Sequence, residues 1–191
     1  APTPTSTPTQ TGEATELLSD LGAHYLAGLL THARGMTVMC TPTTNGFERF
    51  KPNALAPHAI VWGRDNRGAM LRVIGQAGDA ATRIENRLGE PAANPYLYMA
   101  AQIHAGLAGI DQRLVPPRAT ADPYGQGATD GLVPNNLGEA LDALTADPAM
   151  RAGFGDAFIN YYEQIKRPEQ QRYEAAEDKR AFHTRAYFSR I

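Results

Sequence analysis

Residues 83–87 read Arg83-Ile84-Glu85-Asn86-Arg87. As a β-strand, with its side-chain period of two, this run sets Arg83, Glu85 and Arg87 on one face and Ile84 and Leu88 on the other. One carboxylate then stands between two guanidiniums, in a row about 13 Å long at roughly 3.3 Å per residue. Ala59 to Trp62, Ala69 to Ile74 and Ile84 to Leu88 are short β-favouring runs. The polar stretches Arg64-Asp65-Asn66-Arg67 and Gly75-Gln76-Ala77-Gly78-Asp79 separate them, so three antiparallel strands are expected.

Helical patterns flank this sheet. Ser19 is a candidate N-cap with Asp20 in the first turn, and Leu21, Tyr25, Leu26, Leu29 and Leu30 recur at helical spacing to about His32. Gly22 and Gly28 each cost about 1 kcal/mol relative to Ala inside a helix, which close packing on another backbone would offset. Asn94 precedes Pro95 at a first helical position, and Tyr96, Ala100, Ile103, Leu107 and Ile110 form an apolar stripe. Asn136 and Glu139 form a capping box ahead of Leu137, Leu141 and Leu144. Asp147-Pro148 opens a helix carrying Met150, Phe154, Phe158, Tyr161 and Ile165, and Glu169 to Arg180 reads as a solvated helix. Phe182, Tyr187, Phe188 and Ile191 are expected to dock the terminus. Residues 1–13, rich in Pro, Thr and Ser, read as a flexible arm or loop ahead of one folded unit over 14–191.

The composition narrows the function. With 42% hydrophobic and 20% charged residues the chain has the make-up of an ordinary globular domain. A formal charge of -2 supplies no electrostatic footprint for nucleic acid or an anionic membrane, and neither is expected as a partner. Cys40 is the single cysteine, which excludes an intrachain disulfide, and a cytoplasmic, reducing location is expected. His24, His32, His58, His104 and His183 share no ligand spacing and are read as structural or surface groups. Trp62 could pack a nucleotide or the sheet. The loop from Asp122 to Asp130 reads as a connection, with a pocket flap as the alternative.

On spacing alone, the row of Arg83, Glu85 and Arg87 is equally a solvent-facing strand whose charges satisfy one another. Arg49, Arg64, Arg67 and Arg72 lie in the neighbouring segments, and guanidiniums gathered in one concavity suit phosphate or carboxylate. Glu85 is available to a hard cation that accompanies phosphate.

A collinear set of motifs adds to this. Asn45-Gly46-Phe47-Glu48-Arg49-Phe50-Lys51-Pro52, Ala56-Pro57, Trp62-Gly63-Arg64-Asp65-Asn66-Arg67, Arg83-Ile84-Glu85-Asn86-Arg87 and Pro91-Ala92-Ala93-Asn94-Pro95-Tyr96-Leu97 resemble, in order and spacing, the C-terminal motifs of the glutamine synthetase family. The similarity runs from about Leu18 to the end, and is nearest to the γ-glutamyl amine ligases of that group. It implies an α+β fold, an antiparallel sheet flanked by helices. It also implies an ATP-dependent carbon-nitrogen ligase that phosphorylates the side-chain carboxylate of glutamate and lets an amine displace phosphate.

Carried over by position, the resemblance implies that Arg49 and Arg87 hold substrate glutamate, that Arg67, Arg72 and Arg83 face the ATP phosphates, with Arg67 and Arg72 catalytic, and that Glu85 binds Mg2+ or Mn2+. Two departures matter. Ammonia-using members carry a glutamate two residues before the proline matched by Pro57, and this chain has Leu55 there, which implies an organic amine as acceptor. The paired-glutamate and histidine metal motifs are absent, so an N-terminal portion, on the same polypeptide or a neighbouring subunit of a homo-oligomer, is expected to complete the pocket. The competing reading is a catalytically dead family member that binds metabolites or serves assembly; a generic anion-binding domain ignores the motif order.

Overall fold

The computed structural model describes residues 12–51, 54, 56–125 and 131–188. Among them the chain forms α1 (Gly12–Thr15), α2 (Asp20–Thr31), α3 (Ala33–Cys40), a 3-10 turn (Gly46–Arg49), β1 (Trp62–Arg64), β2 (Leu71–Ile74), β3 (Arg83–Asn86), α4 (Pro95–Asp111), α5 (Leu137–Ala146), α6 (Pro148–Phe154), α7 (Asp156–Ala175) and α8 (Lys179–Ala186). The arm expected over residues 1–13 lies, apart from Gly12 and Glu13, outside the described residues.

The helix starts follow their caps. The Ser19 hydroxyl accepts from Gly22 N at 3.2 Å, and the Asn94 carbonyl oxygen accepts from the backbone N–H of Tyr96 and Leu97. Asn136 accepts from Glu139 N at 2.8 Å while its own amide donates to Glu139 Oε1 at 2.9 Å, a side-chain-to-side-chain form of the expected box.

The sheet is α+β in class but mixed in sense. β2 and β3 are antiparallel, with Arg72 opposite Glu85 and Val73 opposite Ile84. β1 instead runs parallel to β2, pairing Trp62 with Leu71, against the expectation of three antiparallel strands. The hydrophobic pattern is silent on strand sense, since both arrangements share the period of two. Parallel strands usually need a long crossover. Here β1 has three residues, so the return path is only about 10 Å. Asp65 turns the chain with φ 46°, and Asn66 Oδ1 accepts from Gly68 N at 2.9 Å.

Leu71 and Val73 are buried with Trp62, Met70 and Leu88 in one core cluster that also holds residues of α2, α3 and α5. Helix α3 was not legible. It follows α2 directly at His32 and is buried on nearly every side, so it shows no polar stripe from which a period could be read.

Two other expectations are corrected. The stripe of α4 does not face the core: Tyr96 is 78% exposed, Ile103 50% and Leu107 47%. The buried face of α4 is Ala101, Ala105, Gly106 and Gly109, which lets α2 approach until backbones touch. A Cβ on Gly28 would stand 2.2 Å from Ala105 O, which is the close approach expected there, whereas one on Gly22 would first meet the side chains of Leu18 and Ser19 in the preceding turn. The helix expected from Asp147 breaks at Gly155, whose φ of 82° ends α6, and α7 takes in the first part of the stretch read as a separate charged helix, to Ala175, with Lys179 and Arg180 opening α8. Phe154, Phe158 and Tyr162 stack in series along this packing, while Tyr161 points outward at 63% exposure.

Candidate active site

The end of β3 builds the site. Asn86 closes an Asx turn by accepting from Leu88 N at 3.1 Å, Tyr98 OH donates to Asn86 O at 3.2 Å, and Arg87 N donates to Met70 O at 3.0 Å. The chain is thereby turned inward at Leu88, whose carbonyl accepts from Thr41 Oγ1 and from Arg49 Nη2, both at 2.7 Å. Arg49 is thus anchored one residue beyond Arg87, although 38 positions separate the two arginines in the chain.

The Arg49 guanidinium has further holds. Its Nε donates to Gly46 O at 3.2 Å, and it lies 5.1 Å over the Phe50 ring. Burial pulls its pKa down, opposed by Glu90, and from so high an ordinary value it stays a cation.

Glu85 lies between two guanidiniums: Arg72 Nη1 stands 3.0 Å from Oε2, and Arg87 Nε 3.7 Å from Oε1. Arg72 also grips Asp65 through Nε at 2.9 Å and through Nη2. The hydrogen bonds it donates to Asp65 and Glu85 push its pKa up. A hollow of about 500 Å³ opens beside this group, lined by Arg49, Ala54, Ala56, Glu85, Asn86, Arg87 and Gly89.

Of the expected site residues, the fold gathers Arg49, Glu85 and Arg87 on one hollow, with Arg72 braced against Glu85 from β2. It does not bring Arg67 or Arg83 into that lining. Arg67 is exposed on the connection between β1 and β2, and Arg83 is exposed with Nη1 donating to Ala81 O at 2.9 Å. Arg64 pairs with Glu16 at 2.5 Å beside a separate hollow of about 600 Å³ at the β1 edge. Leu55 lies outside the described residues, as do residues 126–130 of the expected loop.

Sequence reasoning missed Asp65, Thr41 and Glu90. Glu90 Oε1 accepts from Thr43 Oγ1 at 2.7 Å, and the same carboxylate fills the space where a side chain at residue 46 would stand. These partners lie far apart in the chain, and no local period marks them.

The chemistry open to this arrangement is anion recognition: two guanidiniums, one of them desolvated, and a carboxylate 41% exposed on the rim. As a metal ligand Glu85 fits in part. Mg2+ takes one or two carboxylates together with water and phosphate. Among the described residues no cluster of three or more His, Cys, Asp or Glu groups could hold a metal, so these residues alone do not complete such a site. Trp62 packs the sheet: it is fully buried, its Nε1 donating to Pro117 O at 2.7 Å. No described helix is long and apolar enough to cross a membrane.

Residues 7–184 match the family described as glutamine synthetase, catalytic domain. The chain is 47% identical over 163 residues to a gamma-glutamylanilide synthase from Acinetobacter sp, covering 85% of this chain and 32% of the relative. It is 38% identical to a gamma-glutamylethanolamide synthetase from Streptomyces coelicolor, over 83% of this chain and 34% of that protein. A solved GmaS/ADP complex superposes with a TM-score of 0.74 at 31% identity, covering 94% of this chain and 42% of its own. The chain therefore spans about a third of the length of the curated relatives it matches.

Proposed function

We propose a function for a chain that belongs to the glutamine synthetase family: the protein carrying it joins the γ-carboxylate of glutamate to an amine in an ATP-dependent ligation. The observation that carries this reading is the hollow that Arg49, Glu85 and Arg87 line together. ATP supplies the phosphoryl group that activates the carboxylate, and a nitrogen lone pair then displaces phosphate from the carbonyl carbon and loses a proton.

In this reading Arg49 and Arg87 hold the glutamate carboxylates, since a rigid fork of donors fixes both charge and angle. Arg72, pinned by Asp65 and Glu85, steadies the Glu85 carboxylate, which would hold a metal ion, Mg2+ or Mn2+, and with Arg67 it is the catalytic pair that faces the ATP phosphates. Arg67 and Arg83 meet ATP phosphates; their support is the motif resemblance, and their exposure leaves them reachable by a ligand. Stabilising charge on the transferring phosphoryl group is what the reaction demands of them.

The acceptor in this proposal is an organic amine. Leu55 replaces the glutamate of ammonia-using members, its neighbours Ala54 and Ala56 line the hollow, and two relatives are named for aniline and ethanolamine products. Ammonia turned over as well as the best organic amine would count against it.

The remaining ligands and the rest of the pocket come from an N-terminal portion of the protein, or from a neighbouring subunit of a homo-oligomer. The exposed apolar face of α4, Tyr96, Met99, Ile103 and Leu107, supports such a covering neighbour. The reading places the protein in the cytoplasm, where ATP and glutamate are held. The deciding experiment supplies hydroxylamine, a small nucleophile that traps an activated γ-carboxylate, to the complete protein with glutamate, ATP and Mg2+. Formation of γ-glutamyl hydroxamate is expected. Its absence, with glutamate or ATP still bound, would favour the metabolite-binding alternative.

A further inference from the structure

The loop that presents Arg49 is held from the far end of the chain. Thr44, only 4% exposed, donates its backbone N–H to Tyr187 OH at 3.0 Å, and its hydroxyl lies 3.0 Å from the same oxygen. Tyr187 OH donates to Glu169 Oε1 on α7 at 2.6 Å. His183 Nε2 stands 3.1 Å from Thr44 Oγ1, and its Nδ1 lies 3.7 Å from Glu48 Oε1.

The protons can be assigned from these partners. Ionised Glu169 accepts only, so the single Tyr187 proton points to it, and the Tyr187 oxygen must accept from both Thr44 groups. The Thr44 hydroxyl is then committed to Tyr187 and can only accept from His183 Nε2–H. The result is one directed chain, His183 to Thr44 to Tyr187 to Glu169, and Lys166 Nζ holds the other Glu169 oxygen at 2.6 Å. Phe182, Tyr173 and His183 pack around it as an aromatic cluster, with Tyr173 and His183 stacked at 5.0 Å.

Thr44 lies two residues ahead of the turn Gly46–Arg49, whose C-terminal residue reaches the hollow. The other brace on this turn, Glu90, grips Thr43. The loop is therefore held from two sides, by the segment after β3 and by the C-terminal end of the chain. We infer that Tyr187 is a positioning residue for Arg49, setting through Thr44 the angle at which that guanidinium meets glutamate. This rests on the assignment of Arg49 to glutamate.

The test uses the complete protein and the hydroxamate assay. Tyr187→Phe removes the acceptor for two Thr44 donors and keeps the ring; the glutamate KM should rise about tenfold, with kcat and the ATP KM changed less than about twofold. Thr44→Val deletes only the hydroxyl link and should show the same selective rise, while Thr44→Ser should restore the original value. Should Tyr187→Phe not fold, Thr44→Val and Thr44→Ser decide. A glutamate KM unmoved by Thr44→Val, or a fall in all three parameters in parallel with Tm, overturns the inference. Arg49→Lys separates the two layers: if it raises the glutamate KM and Tyr187→Phe does not, only the positioning role falls. If Arg49→Lys leaves that KM unchanged, or no hydroxamate forms at all, the assignment of Arg49 falls and takes this inference with it.

Discussion

Arg72 and Glu85 stand opposite each other across β2 and β3, with Nη1 of the arginine donating to Oε2 of the glutamate at 3.0 Å. The cross-strand register sets this pair, and Arg87 approaches the other carboxylate oxygen from just beyond the strand. Glu85 is therefore oriented from two sides while remaining partly open to solvent, an arrangement better suited to a working carboxylate than to a stability device.

Glu85→Ala separates these roles. Glu85 is 41% exposed and Arg72 keeps Asp65 as a partner without it, so the thermal midpoint should barely shift. Hydroxamate formation by the complete protein should fall at least about a hundredfold, if Glu85 holds the metal ion. A large drop in Tm with activity retained would reverse the assignment.

Gly28→Ala tests the contact between α2 and α4. The added methyl would overlap Ala105 O and Gly109. Overpacking of backbone on backbone leaves no flexible group to yield, so a loss of roughly 2–3 kcal/mol is expected in urea unfolding. Gly78→Ala is the contrast in space: nothing lies within 4 Å of a Cβ there, and its penalty is confined to the strained φ of 80°.

Cys40 is fully buried, and burial pushes its thiol pKa well up. Thiolate is the reactive form, so iodoacetamide should leave the native protein unlabelled at pH 8 and label it rapidly in urea. The sign for stability follows: with the folded pKa raised, the contribution is complete below the ordinary thiol value of about 8.5 and declines as pH rises beyond it. Urea midpoints measured from pH 7 to 10 should fall at the alkaline end more in this protein than in Cys40→Ala.

Ile103→Ser addresses the exposed face of α4. In this chain alone the side chain is half in water, and the substitution should alter stability by less than about 1 kcal/mol. In the complete protein, where a neighbour is proposed to cover that face, the same change should weaken assembly, read as a smaller species in sedimentation. Unchanged sedimentation of the complete protein would remove the proposed cover.

Much of the helical frame was legible because its signals are local. Ser19, Asn94 and Asn136 each satisfy a donor within their own first turn, so their role needs no knowledge of neighbours. The alternation at Arg83, Glu85 and Arg87 was legible for the same reason. The stripe on α4 misled, because apolar periodicity says that a helix has a distinct face without saying what covers it. Against α2 the small residues Ala101, Ala105 and Gly109 won, since they allow closer backbone approach than Tyr96 or Leu107 would.

The order of motifs, the cap positions and the residue types needed to bind carboxylate and phosphate were determined by the sequence itself, since each is a statement about near neighbours along the chain. Tertiary structure alone decided that β1 runs parallel to β2, that Arg49 reaches the Leu88 carbonyl one residue past Arg87, and that Tyr187 reaches Thr44. The contacts of Arg49 and Tyr187 join segments tens of residues apart, and they form only where the packed core sets the distance between them.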